Sequence, residues 1–232
     1  MKNDQVFIDD LIRQAQARFS KKIREIVDFE TNDQDAEILL SDIDNFPHLF
    51  VLGCIADRQI RAGRAWLTPY IVGKECGGFD FRSFFKLTIL DAEKIFEKHK
   101  LHRFNKRVSG DFVSAIGDIH AKYGGDASKI WQDKPPSARV VRRFLEFRGV
   151  GIKIATMAAN ILARHFKIEM SDYSSIDISP DVQVTKFFVH HKLLRENARR
   201  EELIYLAREL NPSYPGLLDF LAWKGGRALK RP

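Results

Sequence analysis

Leu145-Glu-Phe-Arg-Gly-Val-Gly-Ile-Lys153-Ile-Ala155 joins two amphipathic stretches across a Gly-Val-Gly break. Pro135-Pro136-Ser137 opens the first, ARVVRRFLEF, because proline suits the entry to a helix and not its interior. The pattern breaks at Arg148-Gly149-Val150-Gly151, and a second helix, IKIATMAANILARHF, follows at once. Two helices meeting across Gly-Val-Gly need a turn too tight for side chains at the glycine positions, with Val150 plugging the gap between them. The second helix begins with unpaired N–H groups and the positive end of its dipole facing outward. The backbone amides of Gly149, Gly151 and Lys153 are thereby suited to grip one phosphate without reading a base. Arg139, Arg142, Arg143 and Arg148 surround the turn with positive charge against one acid, Glu146. Arg142 and Arg143 are adjacent on a helix, so one of the two is expected to face a phosphate. The plain alternative is a helix–loop–helix corner whose arginines serve solubility.

Helical periodicity extends outward from this turn in both directions. Ile8, Leu11, Ile12, Ala15, Phe19, Ile23, Ile26 and Val27 form one apolar stripe. Asn32 or Asp33 caps a short helix through Leu40, and Pro47 fits the first turn of another ending near Asp57. A further helix carries Ala65, Trp66 and Tyr70 and stops before Cys76-Gly77-Gly78. Thr88-Ile-Leu-Asp91 reads as a capping box, and the segment from Asn105 ends at Gly124-Gly125. Strand signals are sparse, and Lys167 to Pro180 is the one long irregular stretch. The expected fold is all-α, two helical lobes around a DNA-binding cleft. Residues 45–165 form a bundle ending in the hairpin, and residues 1–44 plus 166–232 form the other lobe. The closing Ala228-Leu-Lys-Arg-Pro232 reads as a solvated basic tail.

Composition narrows the function classes. Among 232 residues, 38 Lys and Arg against 31 Asp and Glu give a net charge of +7, which favours a polyanionic partner. Two cysteines, Cys54 and Cys76, are too few for a disulfide framework, a four-Cys zinc site or a cysteine-held iron–sulfur cluster. The opening MKNDQVFIDDLIRQ carries acids where a signal peptide needs an apolar run, and no stretch approaches the ~20 apolar residues of a membrane span. A cytoplasmic protein, with no membrane partner, is expected.

Phe147 to Ala155, F-R-G-V-G-I-K-I-A, resembles the hairpin of the helix-hairpin-helix DNA glycosylases of the endonuclease III superfamily. Their pattern is roughly L-P-G-V-G-x-K-x-A, so Arg148 stands in place of a proline. The resemblance implies that Lys153 is the nucleophile of a bifunctional member. A second match, Pro180-Asp181-Val-Gln-Val184 before TKFFVHHKLL, implies that Asp181 is the carboxylate facing it. Gln183 occupies a position where His is common, and Asp172 and Asp177 are rival assignments across a longer linker. Phe46 to Gln59 resembles the segment ending in the glutamine that wedges into the duplex. Gln59 inherits that role, with Arg58 as a phosphate or orphan-base contact. In relatives the carbonyls matching Leu145, Phe147 and Val150 hold a monovalent cation, which implies K+ or Na+ here. The four-Cys cluster loop is absent, so the resemblance is to members without iron–sulfur and with no other cofactor.

The chemistry suits these residue types. Cleaving an N-glycosidic bond builds positive charge at C1′, which a carboxylate stabilises. An amine with a lowered pKa can attack C1′, form a Schiff base and permit β-elimination. The target nucleotide must first leave the stack, and one of Phe79, Phe81, Phe84 or Phe85 is expected to stack on it. The expected function is a monomeric glycosylase with AP-lyase activity on a damaged base in duplex DNA. The alternatives are a monofunctional glycosylase, with Lys153 only a phosphate cation and Asp181 a helix cap, and a non-catalytic DNA-binding module. His190-His191 point apart on a helix and make no metal pair.

Overall fold

A computed structural model describes residues 2–24 and 26–229, and most of the basic tail from Lys230 lies outside it. Among the described residues the chain is helical throughout and has no strand. The helices are α1 (Lys2–Phe19), α2 (Gln34–Ser41), α3 (Pro47–Ala56), α4 (Ala62–Glu75), α5 (Phe81–Phe85), α6 (Ile89–Lys98) and α7 (Asn105–Tyr123). They continue as α8 (Ser137–Leu145), α9 (Ile152–Arg164), α10 (Val182–His190), α11 (Arg200–Leu210) and α12 (Asp219–Ala228). The local stop and start signals act as expected except at Thr88, which caps α6 without a reciprocal box: its hydroxyl donates to Asp91 Oδ2 at 2.6 Å. Asp33 accepts the Ala36 N–H at 3.0 Å, Thr88 accepts the Asp91 N–H at 3.2 Å, and Gly124 closes α7 in the left-handed region.

The apolar stripe does not run on in helix to Val27. Helix α1 stops at Phe19, and Ile23 and Ile26 are exposed. The backbone beyond finds its partners in side chains of α2 instead. Val27 N–H donates to Ser41 Oγ at 2.9 Å, and Phe29 and Thr31 N–H both donate to the Glu37 carboxylate at 2.8 Å. A second helical turn there would compete for the same N–H groups, and these contacts win.

The described residues fall into two compact units. One comprises residues up to 23, 134–142 and from 155 onward; the other comprises 24–133 and 143–154. The boundaries differ from those expected at 45 and 165, for reasons that lie in contacts distant in sequence. Phe29 stacks on Trp66 with ring centroids 4.3 Å apart, which ties the 24–44 stretch to α4. Asn160 of α9 donates to the Gly216 carbonyl at 2.7 Å and accepts from the Tyr214 hydroxyl at 2.6 Å, which ties 155–164 to the C-terminal segment.

The core of the 24–133 and 143–154 unit is built on α3, every residue of which is buried. Phe50 lies against Trp66, Trp131 and Phe144, with centroids 5.7, 6.1 and 6.3 Å away. His48 on the same helix donates to the Phe79 carbonyl at 2.9 Å, and burial pushes its pKa down to about 4. In the other unit α10 packs on α12, where Phe187 lies over Gly225. Beside them a buried polar group joins Asn160, Ser179, Tyr214 and Asp219.

Candidate functional site

Helix α8 ends at Leu145 and α9 starts at Ile152, so the turn between them is short. Phe147 N–H donates to the Phe144 carbonyl at 3.2 Å, Val150 N–H to the Phe147 carbonyl at 3.1 Å, and Ile154 N–H to the Gly151 carbonyl at 3.1 Å. The Phe147 carbonyl therefore already accepts one bond.

The two glycines of the turn have different reasons to be glycine. Gly149 has φ +84°, and a Cβ there would run into the Arg58 guanidinium and lie 2.8 Å from an Asp111 oxygen. Gly151 is outside the left-handed region, and a Cβ on it meets no atom within 4 Å. The expectation that the turn itself forbids side chains at both positions is thus corrected for Gly151.

Arg58 is an interior clamp. Its Nη2 donates to Asp111 Oδ2 at 2.6 Å, its Nη1 to the Gly149 carbonyl at 3.2 Å and its Nε to the Ile55 carbonyl at 3.0 Å. Its side chain is 15% exposed, and its three nitrogens tie α3, α7 and the turn together. His102 holds the Arg58 backbone, its Nε2 lying 2.6 Å from that carbonyl while its Nδ1 accepts the Phe104 N–H at 3.0 Å. Gln59 follows on the surface, exposed and with φ +57°. Arg148 donates from Nε to Asp111 Oδ1 at 2.6 Å yet stays 59% exposed. Asp111, on the second turn of α7, is thus a buried carboxylate gripped by two guanidinium groups. Each loses less by desolvation there than it would alone.

Lys153 lies in the first turn of α9, and its Nζ is 3.9 Å from Asp57 Oδ2. Asp57 is the residue that sequence reasoning missed. It caps the C-terminal end of α3, 7% exposed, where its negative charge meets the negative end of the helix dipole. A buried carboxylate in that place requires a cation. Its charge, after burial, is a further cause raising the Cys54 thiol pKa. The available signal was an acid directly following ten apolar or neutral positions, Pro47 to Ala56.

The two adjacent arginines of α8 differ in their surroundings. Arg143 donates to the Lys129 and Ile130 carbonyls at 3.0 and 2.8 Å, while Arg142 is exposed. Glu146 lies 3.9 Å from Lys122. Of the candidate stacking rings, Phe84 is fully buried and Phe79 stacks on Tyr70 at 5.4 Å. Phe85 is 47% exposed and lies on His120, centroids 4.1 Å apart.

Asp181 belongs to the other unit, where it caps α10 by accepting the Gln183 N–H at 2.8 Å. Its rivals are both engaged elsewhere. Asp177 makes a two-pronged ion pair with Arg208 at 2.7 and 2.8 Å, and Asp172 accepts from Ser137 Oγ at 2.6 Å and from the Ser174 hydroxyl at 3.0 Å. His191 stacks on Phe7 and His190 is exposed. Among the described residues no group of three or more His, Cys, Asp or Glu is placed to hold a metal ion, and no helix is long and apolar enough to cross a membrane. Compared with known proteins, the chain matches no family model and no curated sequence.

Proposed function

We propose that this chain is a base-excision DNA glycosylase with associated AP-lyase activity, using the Lys153 amine as nucleophile on duplex DNA. The observation that carries the reading is the placement of Lys153. A lysine two positions after a Gly-Val-Gly turn stands 3.9 Å from a buried carboxylate, and Arg148 adds exposed positive charge nearby. The turn proposed to hold phosphate and an amine beside a carboxylate thus belong to one unit.

In this reading the Asp57 carboxylate takes a proton from the Lys153 ammonium, and the neutral amine attacks C1′ of an extruded nucleotide. The C1′–N bond breaks as the C1′–Nζ bond forms, and the base leaves with a proton. The sugar ring opens to an iminium, loss of a proton from C2′ follows, and the C3′–O bond breaks. Asp181 is assigned the stabilisation of positive charge at C1′. Gly149 and Gly151 amides hold the backbone phosphate, and a monovalent cation on the Leu145, Phe147 and Val150 carbonyls is part of the same proposal.

The same ion pair also favours a second reading. A carboxylate within 4 Å stabilises the charged ammonium, which suits a lysine that holds phosphate while water attacks C1′. Borohydride trapping on a panel of lesion-containing and abasic duplexes distinguishes the two. A covalent protein–DNA adduct supports the nucleophile. Base release without an adduct supports the monofunctional enzyme, and neither result on any duplex leaves a DNA-binding module.

A further inference from the structure

We infer that a cationic pocket beside the α8–α9 turn is a second seat for a DNA backbone phosphate, formed by Lys106, Arg107 and Arg148. The inference rests on the duplex-binding reading above. The pocket has a volume of about 350 Å³ and is lined by Lys106, Arg107, Gly110, Asp111, Arg148 and Gly149. Its three cations are exposed, and its one acid, Asp111, is buried and turned to the guanidinium groups.

Three features mark the pocket as built for an anion. Lys106 and Arg107 are exposed and have no acidic partner among the described residues. Arg148 is held by its Nε bond to Asp111 Oδ1 at 2.6 Å while its side chain stays 59% exposed. Gly110 leaves room beside it, since a Cβ there would sit 3.1 Å from Arg148 Nη2 and press the guanidinium outward. An arginine preorganised in this way loses little side-chain entropy on binding.

A phosphate within a DNA chain fits better than a free anion. The pocket opens to solvent through its exposed rim, and Gly149 lines it while also forming the phosphate-gripping turn. A strand held at the turn therefore continues into it. Such contacts add affinity and salt dependence but no base specificity.

The test measures binding of an undamaged duplex by fluorescence anisotropy from about 50 to 200 mM salt, for the wild type and Lys106→Ala/Arg107→Ala. Emptying this one phosphate seat flattens the slope of log K against log salt by roughly 0.9. The affinity gap between the proteins then shrinks about 3.5-fold across that range. Equal slopes, with salt-dependent binding by the wild type, overturn the pocket and leave the duplex-binding reading standing. A wild type that binds no duplex overturns both. Thermal melting with inorganic phosphate covers the remaining source: stabilisation of the wild type but not the variant, together with equal DNA slopes, makes this a small-anion site and overturns the inference. Both residues are exposed, so an unchanged melting temperature without phosphate is expected to confirm that the variant folds.

Discussion

Replacing Gly149 by alanine places a methyl group in the path of the Arg58 guanidinium, at a backbone position with φ +84°. The left-handed backbone alone costs a residue with a Cβ about 1–2 kcal/mol. The second cost falls on the clamp. Arg58 must retreat from the Gly149 carbonyl and loosen its 2.6 Å contact with Asp111. Breaking a buried pair outright costs about 3–5 kcal/mol, and here Arg148 still holds the other Asp111 oxygen, which reduces it. The expected total is about 3–4 kcal/mol, or a melting temperature lower by roughly 10 °C for a chain of this size. Gly151→Ala, two residues away, meets no atom and changes stability by less than about 0.5 kcal/mol. Urea or thermal unfolding of the two variants reads both numbers. Gly151→Ala should nonetheless weaken duplex binding, because a ligand approaching the backbone is the remaining use for a glycine there. Equal destabilisation by the two substitutions, or none by Gly149→Ala, refutes the clamp.

Burial pushes the Asp219 carboxyl up to about 6 from an ordinary 3.8, so the folded chain binds its proton more tightly than the unfolded chain does. Its stability contribution is complete below about pH 4 and falls by about 3 kcal/mol as pH rises through 6; Asp219→Asn, followed by unfolding at several pH values, should remove that slope. Asp181→Asn should lower turnover by orders of magnitude in a base-release assay with stability nearly unchanged, because asparagine caps a helix as well as aspartate does. Asp177→Asn should act the other way, lowering the melting temperature by loosening Arg208 while turnover of the folded protein persists. Arg143→Ala should destabilise by about 1–2 kcal/mol through the stranded Lys129 and Ile130 carbonyls, whereas Arg142→Ala should leave stability intact and flatten the salt dependence of duplex binding by about one unit.

Helix ends were legible in the sequence because their causes are local. Asp33, Pro47, Thr88 and Gly124 act on N–H and C=O groups within a few residues, and each starts or stops a helix where its chemistry demands. The end of α1 was not legible, because Ser41 and Glu37 lie some way along the chain from the N–H groups they capture. The unit boundaries were hidden for the same reason: the Phe29–Trp66 stack and the Asn160–Tyr214 bond join residues 37 and 54 positions apart. In the candidate site the turn and its lysine could be read, but not the difference between Gly149 and Gly151. That difference depends on Arg58, 91 positions earlier. Arg58 read as an outward contact and is an inward clamp. Asp57, beside it, read as a helix end and faces Lys153.

The most direct measurement is borohydride trapping of the wild type and Lys153→Gln on abasic duplex DNA, resolved by gel, with duplex affinity measured alongside. A covalent adduct is expected with the wild type and none with Lys153→Gln, while the two bind the duplex with similar affinity. An adduct of equal yield from Lys153→Gln, or none from a wild type that binds the duplex tightly, contradicts the assignment of Lys153 as the nucleophile.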